Sequence, residues 1–214
     1  MLSFSKSALT LTILAATAAQ AQFGGPAAAP PLTQVHDAAA IKPPAGARVA
    51  IVEFEDMECP VCGHVNPIVR QAAMKYNIPL VRHDFPLPYH AWSTQAAINA
   101  RWFDTKSKAL GDEYRDQVFA NQPSITTLEV LQQFTQKFAA GHNIQLPFAL
   151  DPQGALAAAV KADFALGQRI GIQHTPTIWV TTSGSKGLPF IEVQDYNKLF
   201  QTIDQALSDT KGSK

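Results

Sequence analysis

Cys59 and Cys62 are the only two cysteines among the 214 residues of the chain. Because only Pro60 and Val61 separate them, their thiols could close into a small disulfide ring and open again. A disulfide that serves stability usually closes a longer loop, since it then removes more conformational entropy from the unfolded chain. The spacing therefore favours a redox-active pair, and an inert structural disulfide is the alternative.

Metal and haem chemistry are two other uses of a Cys-x-x-Cys pair, and both need further ligands. Structural zinc sites use four ligands, and the chain has no second cysteine pair. His64, His83 and His90 could contribute ligands, but their spacing fits no zinc pattern. Covalent haem attachment needs a histidine directly after the second cysteine, where Gly63 stands instead. We therefore expect no metal, and no cofactor beyond the redox-active disulfide itself.

The N-terminus has the pattern of a secretion signal. Lys6 provides a positive charge, an apolar run follows at 8–16, and Ala19–Ala21 has the small-x-small form of a cleavage site. The apolar run is shorter than the ~20 residues that span a membrane. We expect residues 1–21 to be a signal peptide cleaved near Ala21, and the mature protein to be periplasmic or otherwise exported. Such compartments are oxidising, which suits a working disulfide.

Composition and charge limit the class of partner. The chain carries 17 basic and 17 acidic residues, and 46% of it is hydrophobic, which is ordinary for a packed globular protein. Because there is no excess of basic charge, we expect no binding to nucleic acid. Residues 22–46 are rich in Ala, Pro and Gly, and we expect them to form a linker or an irregular arm.

The cysteine pair lies between two predicted strands. The apolar, β-branched run at 48–54 indicates a strand that is covered on both faces. A helix is expected from about Cys59, with a kink at Pro67 because proline lacks the amide hydrogen. The segment 78–85 is predicted to be a second strand. The order strand, helix, strand implies a parallel pair joined by a right-handed crossover.

The remainder of the chain is predicted to be a helical block followed by a hairpin and a closing helix. Periodic apolar residues favour helices over most of 91–169. Strands are expected at 175–181 and 189–193, and a helix at 195–208. The expected helices of the block are Thr94–Leu110, Asp112–Ala120, Thr127–Ala140 and Pro152–Gly167.

Three features together resemble the DsbA-type oxidoreductases of the thioredoxin superfamily: the segment Phe54–Cys62, the helical block and the segment Gly171–Thr177. The likeness extends from about Val49 to Leu207. It implies an α/β, thioredoxin-like fold with a central mixed β-sheet, flanking helices and an inserted all-helical subdomain. The implied domains are a thioredoxin-like domain at 47–90 and 170–210, and an inserted helical subdomain at 91–169.

Cys59 and Cys62 are expected to have different roles. At the helix start, Cys59 would face unpaired backbone N–H groups and the positive end of the helix dipole, which both favour the nucleophilic thiolate. Cys62 lies one turn further in, should be more buried, and would act as the resolving thiol.

The resemblance also implies substrate-binding residues. Thr175 and Pro176 would form a cis-proline loop that offers the Thr175 backbone to an extended substrate, beside Pro60 and Val61. From the residues alone, a trans proline at the start of an edge strand is equally open.

Glu53 is the third candidate catalytic residue, because it occupies the position where the family carries a buried acid below the cysteines. Burial would raise its pKa and let it accept a proton from the resolving thiol. The alternative is a strand-end carboxylate that reaches water. Glu55, Asp56 and Glu58 are expected to form a solvated acidic loop. If they lie close to the nucleophile, they oppose thiolate formation.

The expected activity is thiol:disulfide exchange by an oxidase that donates the Cys59–Cys62 disulfide to secreted proteins. A reductase for exported proteins is an alternative, because Pro60 and Val61 add no charge or side-chain donor that would stabilise a thiolate. A non-catalytic peptide-binding or holdase module is a second alternative. As partners we expect unfolded or partly folded exported proteins and, from the resemblance, a membrane quinone-linked redox partner. We expect a monomer.

Overall fold

The computed structural model describes residues 30–184 and 187–211, so the expected signal peptide at 1–21 lies outside the described residues. Short 3₁₀ helices lie at Ala38–Ala40, Gln122–Ser124 and Tyr196–Lys198. None of the described helices is long and apolar enough to cross a membrane. In chain order the main elements are β1 (Val49–Glu55), α1 (Pro60–Tyr76), β2 (Leu80–Asp84), α2 (Ser93–Asp104), α3 (Lys108–Asn121), α4 (Leu128–Gly141), α5 (Ala155–Ile170), β3 (Thr177–Thr182), β4 (Phe190–Glu192) and α6 (Leu199–Asp209).

The strands form one mixed sheet in the order β2-β1-β3-β4. β1 pairs in parallel with β2 and antiparallel with β3, and β3 pairs antiparallel with β4. Every residue of β1 is buried, as its near-continuous apolar run predicted. With four consecutive helices between β2 and β3, this confirms the α/β, thioredoxin-like fold with a helical block.

The hydrophobic core has three parts. On one face of the sheet, β1 and β3 pack against α1 and α6. On the other face, the same strands pack against α5 and the loops beside it. The third part is the interior of the helical block, and it contains Cys59, Cys62 and Trp92. The cysteine pair therefore lies at the junction between the sheet and the helical block.

The predicted boundary between α2 and α3 is wrong. The break expected at Gly111 lies inside α3, and the chain breaks instead at 105–107. Ser107 explains the difference, because its hydroxyl accepts a hydrogen bond from Leu110 N (3.1 Å) and caps α3. Gly111 is needed for packing, since a Cβ there would collide with the side chain of Asp104.

The arm that precedes β1 is packed against the domain over its described part. Residues 30–46 are irregular, as expected, but they are not a free linker. Thr33 N donates to Glu192 Oε2 (2.9 Å), and His36 N donates to Ile170 O (2.9 Å). Ile41 is buried among residues of the sheet face that α5 covers. The Ala- and Pro-rich composition gave no sign of these contacts.

Candidate active site

Cys59 is the capping residue of α1. Its backbone is extended (φ −73°, ψ 119°), and the helix begins at Pro60. Proline suits this position because an N–H there would have no intrahelical partner. Gly63 N donates to Cys59 O (3.1 Å), and the helix continues through Pro67 to Tyr76. The Cys59 side chain thus starts at the helix N-terminus, where unpaired N–H groups favour negative charge.

The surroundings of Cys59 stabilise its thiolate. A hydrogen bond from the Cys62 thiol is the largest cause, and hydrogen bonds from Thr175 and from the N–H groups of Cys62 and Val61 act in the same direction. Together they outweigh desolvation and lower the pKa of Cys59 to about 6. Both cysteines are free in this structure, which therefore represents the reduced form. In that form, Cys59 is mainly a thiolate at neutral pH.

Cys62 has the opposite character. It is 1% exposed, whereas Cys59 is 6% exposed, so the difference in burial is the one predicted. Burial is the main cause that raises the pKa of Cys62 well above its usual value, and the hydrogen bond with Cys59 and the charge of Glu53 add to it. The two sulfurs are therefore an unequal pair, one a thiolate and the other a thiol.

The loop before β3 places Thr175 against Cys59. The Thr175–Pro176 peptide bond is cis, and the Cys59 thiol donates to Thr175 O over 3.3 Å. A thiolate has no proton to donate and needs a donor instead. The Thr175 hydroxyl is buried and has no hydrogen-bond partner in the part of the chain that the structure describes, so it can turn toward the sulfur. Two segments 116 residues apart thus meet at one sulfur atom.

Pro60 and Val61 form the solvent-facing side of the site. Both are exposed, and Val61 is 47% exposed. They offer apolar surface beside the more accessible sulfur, as a contact with substrate would require. The contact itself stays a prediction.

Glu53 is buried in the middle of β1, with 1% of its surface exposed. The alternative of a carboxylate that reaches water is therefore wrong. Desolvation is the main cause that raises the pKa of Glu53 to about 8, and the charge of Glu55 adds to it, while Arg82 opposes it. The charge of Glu53 in turn raises the pKa of Cys62. Glu53 is therefore mainly protonated at neutral pH and electrostatically linked to the buried thiol.

The acidic residues before Cys59 do not form the solvated loop that was expected. Asp56 is 1% exposed, and it accepts hydrogen bonds from Glu58 N and Leu87 N, both over 2.7 Å. His90 Nδ1 lies 2.7 Å from the same carboxylate. The expected solvation is wrong because Glu58 N of the same loop and two groups of the loop after β2 satisfy this carboxylate inside the protein.

Glu58 connects the cysteine loop to the helical block. Its Oε2 accepts hydrogen bonds from Trp92 N (2.7 Å) and Ser93 N (3.0 Å), at the start of α2. Unpaired N–H groups at a helix start stabilise a carboxylate. The net effect around Cys59 still favours the thiolate, so the acidic residues do not prevent its formation.

Glu55 lies between two buried arginines. Its carboxylate is 3.6 Å from Arg82 Nε and 3.6 Å from Arg115 Nε, and all three side chains are at most 5% exposed. Arg115 of α3 also donates to Asp104 Oδ2 (3.0 Å) in α2. This ion-pair network joins the helical block to the sheet behind the cysteines. Nothing in the sequence singled out either arginine.

Gln122 is a further residue that the sequence did not reveal. Its side-chain amide donates to Met57 O and Cys59 O, across more than sixty residues of chain. Because such a contact depends on tertiary structure, no local pattern indicates it.

The histidines considered as metal ligands are dispersed. His83 contacts Asp163, His90 contacts Asp56, and His64 is exposed. Across residues 30–184 and 187–211, no group of three or more His, Cys, Asp or Glu side chains could hold a metal ion.

Comparison with known proteins supports the fold. A family model described as thioredoxin matches residues 45–205. No curated protein sequence matches the chain significantly. The match to the family model covers the sheet, the cysteine pair, the helical block and the cis-proline loop.

Three solved structures illustrate the likeness. BdbD from Bacillus subtilis, in its oxidised form, has a TM-score of 0.61 and 21% identity over 83% of this chain and 98% of that chain. The thiol-disulfide exchange protein alpha-DsbA2 from Wolbachia pipientis has a TM-score of 0.60 and 17% identity over 77% and 84%. DsbA2 from Pseudomonas aeruginosa has a TM-score of 0.56 and 19% identity over 84% and 98%. The chain therefore belongs to the thioredoxin family and has the DsbA-like fold that its sequence predicted.

Proposed function

We propose that this protein is an exported thiol:disulfide oxidase that donates the Cys59–Cys62 disulfide to other proteins. The unequal pair of sulfurs carries the proposal, because the pKa of Cys59 is lowered to about 6 while that of Cys62 is raised. Stabilising the Cys59 thiolate stabilises the reduced protein relative to its disulfide. A disulfide whose reduced form is stabilised accepts electrons readily.

The exchange proceeds in two substitutions at sulfur. A substrate thiolate attacks Cys59 Sγ, the more accessible sulfur, and the Cys59–Cys62 bond breaks. Cys62 leaves as a thiolate and takes up a proton. A second substrate thiol loses its proton and attacks the substrate sulfur of the mixed disulfide, and Cys59 leaves as a thiolate. The substrate loses two electrons and two protons, of which one proton stays on Cys62. The low pKa of Cys59 makes it a good leaving group.

Glu53 supplies the proton that Cys62 needs. At neutral pH its carboxyl group is mainly protonated, because its pKa is raised to about 8. Donation to the nascent Cys62 thiolate removes a buried negative charge, and the reverse transfer assists Cys62 when it attacks a mixed disulfide. Glu53 thereby acts as an acid in one direction and a base in the other.

The proposed substrates are unfolded or partly folded exported proteins. An extended substrate segment would lie along the Thr175 backbone before cis-Pro176, with Pro60 and Val61 against its side chains. Export through the signal peptide at 1–21 and reoxidation by a membrane quinone-linked partner complete the proposal.

A disulfide reductase is the second candidate, and the residues between the cysteines favour it. Pro60 and Val61 contribute no side-chain donor to the Cys59 thiolate, so stabilisation rests on Cys62, Thr175 and backbone groups. Each ~30 mV of reduction potential corresponds to about 1.4 kcal/mol. A modest loss of thiolate stabilisation would thus move the protein from oxidant toward reductant.

The reduction potential of the mature protein, equilibrated in glutathione buffers, distinguishes the two candidates. We expect a value toward the oxidising end, about −120 mV. A value of about −270 mV would assign the reductase.

A trapping experiment separates both redox functions from a holdase. Cys62→Ala should accumulate mixed disulfides between Cys59 and exported proteins, whereas Cys59→Ser should form none. If Cys62→Ala traps no partner while unfolded chains still bind, the protein is a peptide-binding module.

A further inference from the structure

Gln122 reaches from the helical block to the start of α1. It is the first residue of the 3₁₀ helix after α3, and its Nε2 donates to Met57 O (2.7 Å) and to Cys59 O (3.0 Å). These two carbonyl groups belong to the turn that leads from β1 into α1. One side-chain amide therefore holds this turn at two points.

Gly63 leaves room for this amide. A Cβ at residue 63 would overlap Gln122 Oε1 and lie 3.0 Å from its Cδ. The backbone of Gly63 is helical, so its conformation does not require glycine. Alanine is the better helix former, yet glycine occupies the first turn of α1. The close approach of Gln122 accounts for that choice.

We propose that Gln122 is a positioning residue of the redox site. By holding the Met57 and Cys59 carbonyl groups, it fixes the Cys59 side chain against the N–H groups of the first helical turn. The inference rests on the proposed thiol–disulfide exchange and adds a determinant of its redox equilibrium. Gln122 contacts the backbone rather than the sulfur, so it acts through Cys59.

The effect on the sulfur follows from hydrogen-bond geometry. The N–H groups of Val61 and Cys62 lie in the first turn of α1, and both help to lower the pKa of Cys59. Such hydrogen bonds weaken steeply as their angles depart from linearity. A turn that can shift lets the sulfur leave these donors. The thiolate is then less stable, and the disulfide is a weaker oxidant.

Gln122→Met keeps the bulk of the side chain and removes both N–H donors. We expect the thiolate titration of Cys59 to move to higher pH. We expect the equilibrium with glutathione to shift about twofold to tenfold toward the protein disulfide, the size of one net hydrogen bond. Gln133→Met, on the exposed face of α4, is the matched control and should change neither quantity.

Gly63→Ala tests the same contact from its other side. The new methyl group should push the Gln122 amide off both carbonyl groups and reproduce the shift of Gln122→Met. In a Gln122→Ala background the methyl group meets no such obstacle. The double variant should therefore show the same Cys59 titration and the same glutathione equilibrium as Gln122→Ala alone. If the effects of the two substitutions on these quantities simply add, the proposal is overturned.

Unfolding in urea, measured on the same variants, separates positioning from a structural role. The proposal is overturned if Gln122→Met is less stable but keeps the Cys59 titration and the glutathione equilibrium of the unmodified protein. If the unmodified protein fails to exchange its disulfide with glutathione, the proposed function fails instead. The Cys59 titration still decides the role of Gln122 in that case, because it needs no exchange partner.

Discussion

Glu53 and Arg82 are register partners in the parallel pairing of β1 and β2, and both side chains are buried. Glu53 Oε2 and Arg82 Nη1 nevertheless have no hydrogen-bond partner among the described residues. Arg82 instead donates to Asn66 Oδ1 (2.5 Å) and pairs with Glu55. Glu53 is thus a buried acid whose basic neighbour is engaged elsewhere, and desolvation dominates its pKa.

Stability should fall as pH rises, because of Glu53. Its pKa is about 8 in the folded protein and has the ordinary value of 4.5 in the unfolded chain. Between these pH values Glu53 keeps its proton in the folded state and loses it in the unfolded state. The contribution of Glu53 to stability is therefore complete below pH 4.5 and is lost as pH rises through about 8. This decline in the free energy of unfolding should be on the order of a few kcal/mol, and Glu53→Gln should abolish it.

Urea unfolding of the oxidised protein between pH 5 and pH 8.5 measures this slope. Glu129→Gln, at an exposed position in the first turn of α4, is the control and should keep the slope of the unmodified protein. A slope that Glu53→Gln leaves unchanged would show that Glu53 does not carry the proton.

The reduced form should lose stability relative to the oxidised form as the pH falls. The pKa of Cys59 is lowered to about 6 from the ordinary 9.0 of the unfolded chain, so the stability that its thiolate contributes is present above pH 9 and is lost as pH falls through about 6. The oxidised form has no thiol to titrate. The difference in unfolding free energy, reduced minus oxidised, should therefore decline between pH 8 and pH 5.

Thiolate absorbance provides the independent check on Cys59. In reduced protein it should titrate with a midpoint near pH 6, and Cys59→Ser should abolish that transition. Cys62→Ala should raise the midpoint, because the hydrogen bond from Cys62 is the largest cause of the shift. A midpoint near 9 in unmodified protein would remove the basis of the oxidase proposal.

Arg115→Met should be strongly destabilising. It would leave Glu55 buried with one arginine in place of two, and would also break the ion pair with Asp104. Breaking a buried ion pair costs about 3–5 kcal/mol, since an uncompensated charge stays inside the protein.

Lys108→Met is the surface comparison for Arg115→Met. Lys108 pairs with Asp112, but its side chain is 64% exposed, and such pairs contribute at most about 1 kcal/mol. Urea unfolding at one pH compares the two variants. Equal losses would mean that the network around Glu55 does not stabilise the junction between the helical block and the sheet.

Features that depend on neighbours along the chain were predictable. The buried run of β1 and the helix start at Cys59 follow from local composition, and both are confirmed. The cap at Ser107 is also local, but the expected helix Thr94–Leu110 runs across it. The contact of Gly111 with Asp104, which explains the glycine, exists only once α2 and α3 pack.

Features that depend on distant segments were not predictable. The carboxylate of Asp56 is satisfied by Leu87 N, and that of Glu58 by Trp92 N, so neither needs the solvent that their charge suggested. The role of Glu53 below the cysteines was expected only through the family resemblance, since an acid within a buried strand does not show by itself what it faces. Gln122 was missed for the same reason.

Both sulfurs belong to the interior of the helical block and not to the cores beneath the sheet. Packed interiors transmit small displacements, so we expect disulfide formation to act first on the interior of the helical block. Amide hydrogen exchange should therefore differ between the two redox forms more in the helical block than in α6, whose core lies on a face of the sheet.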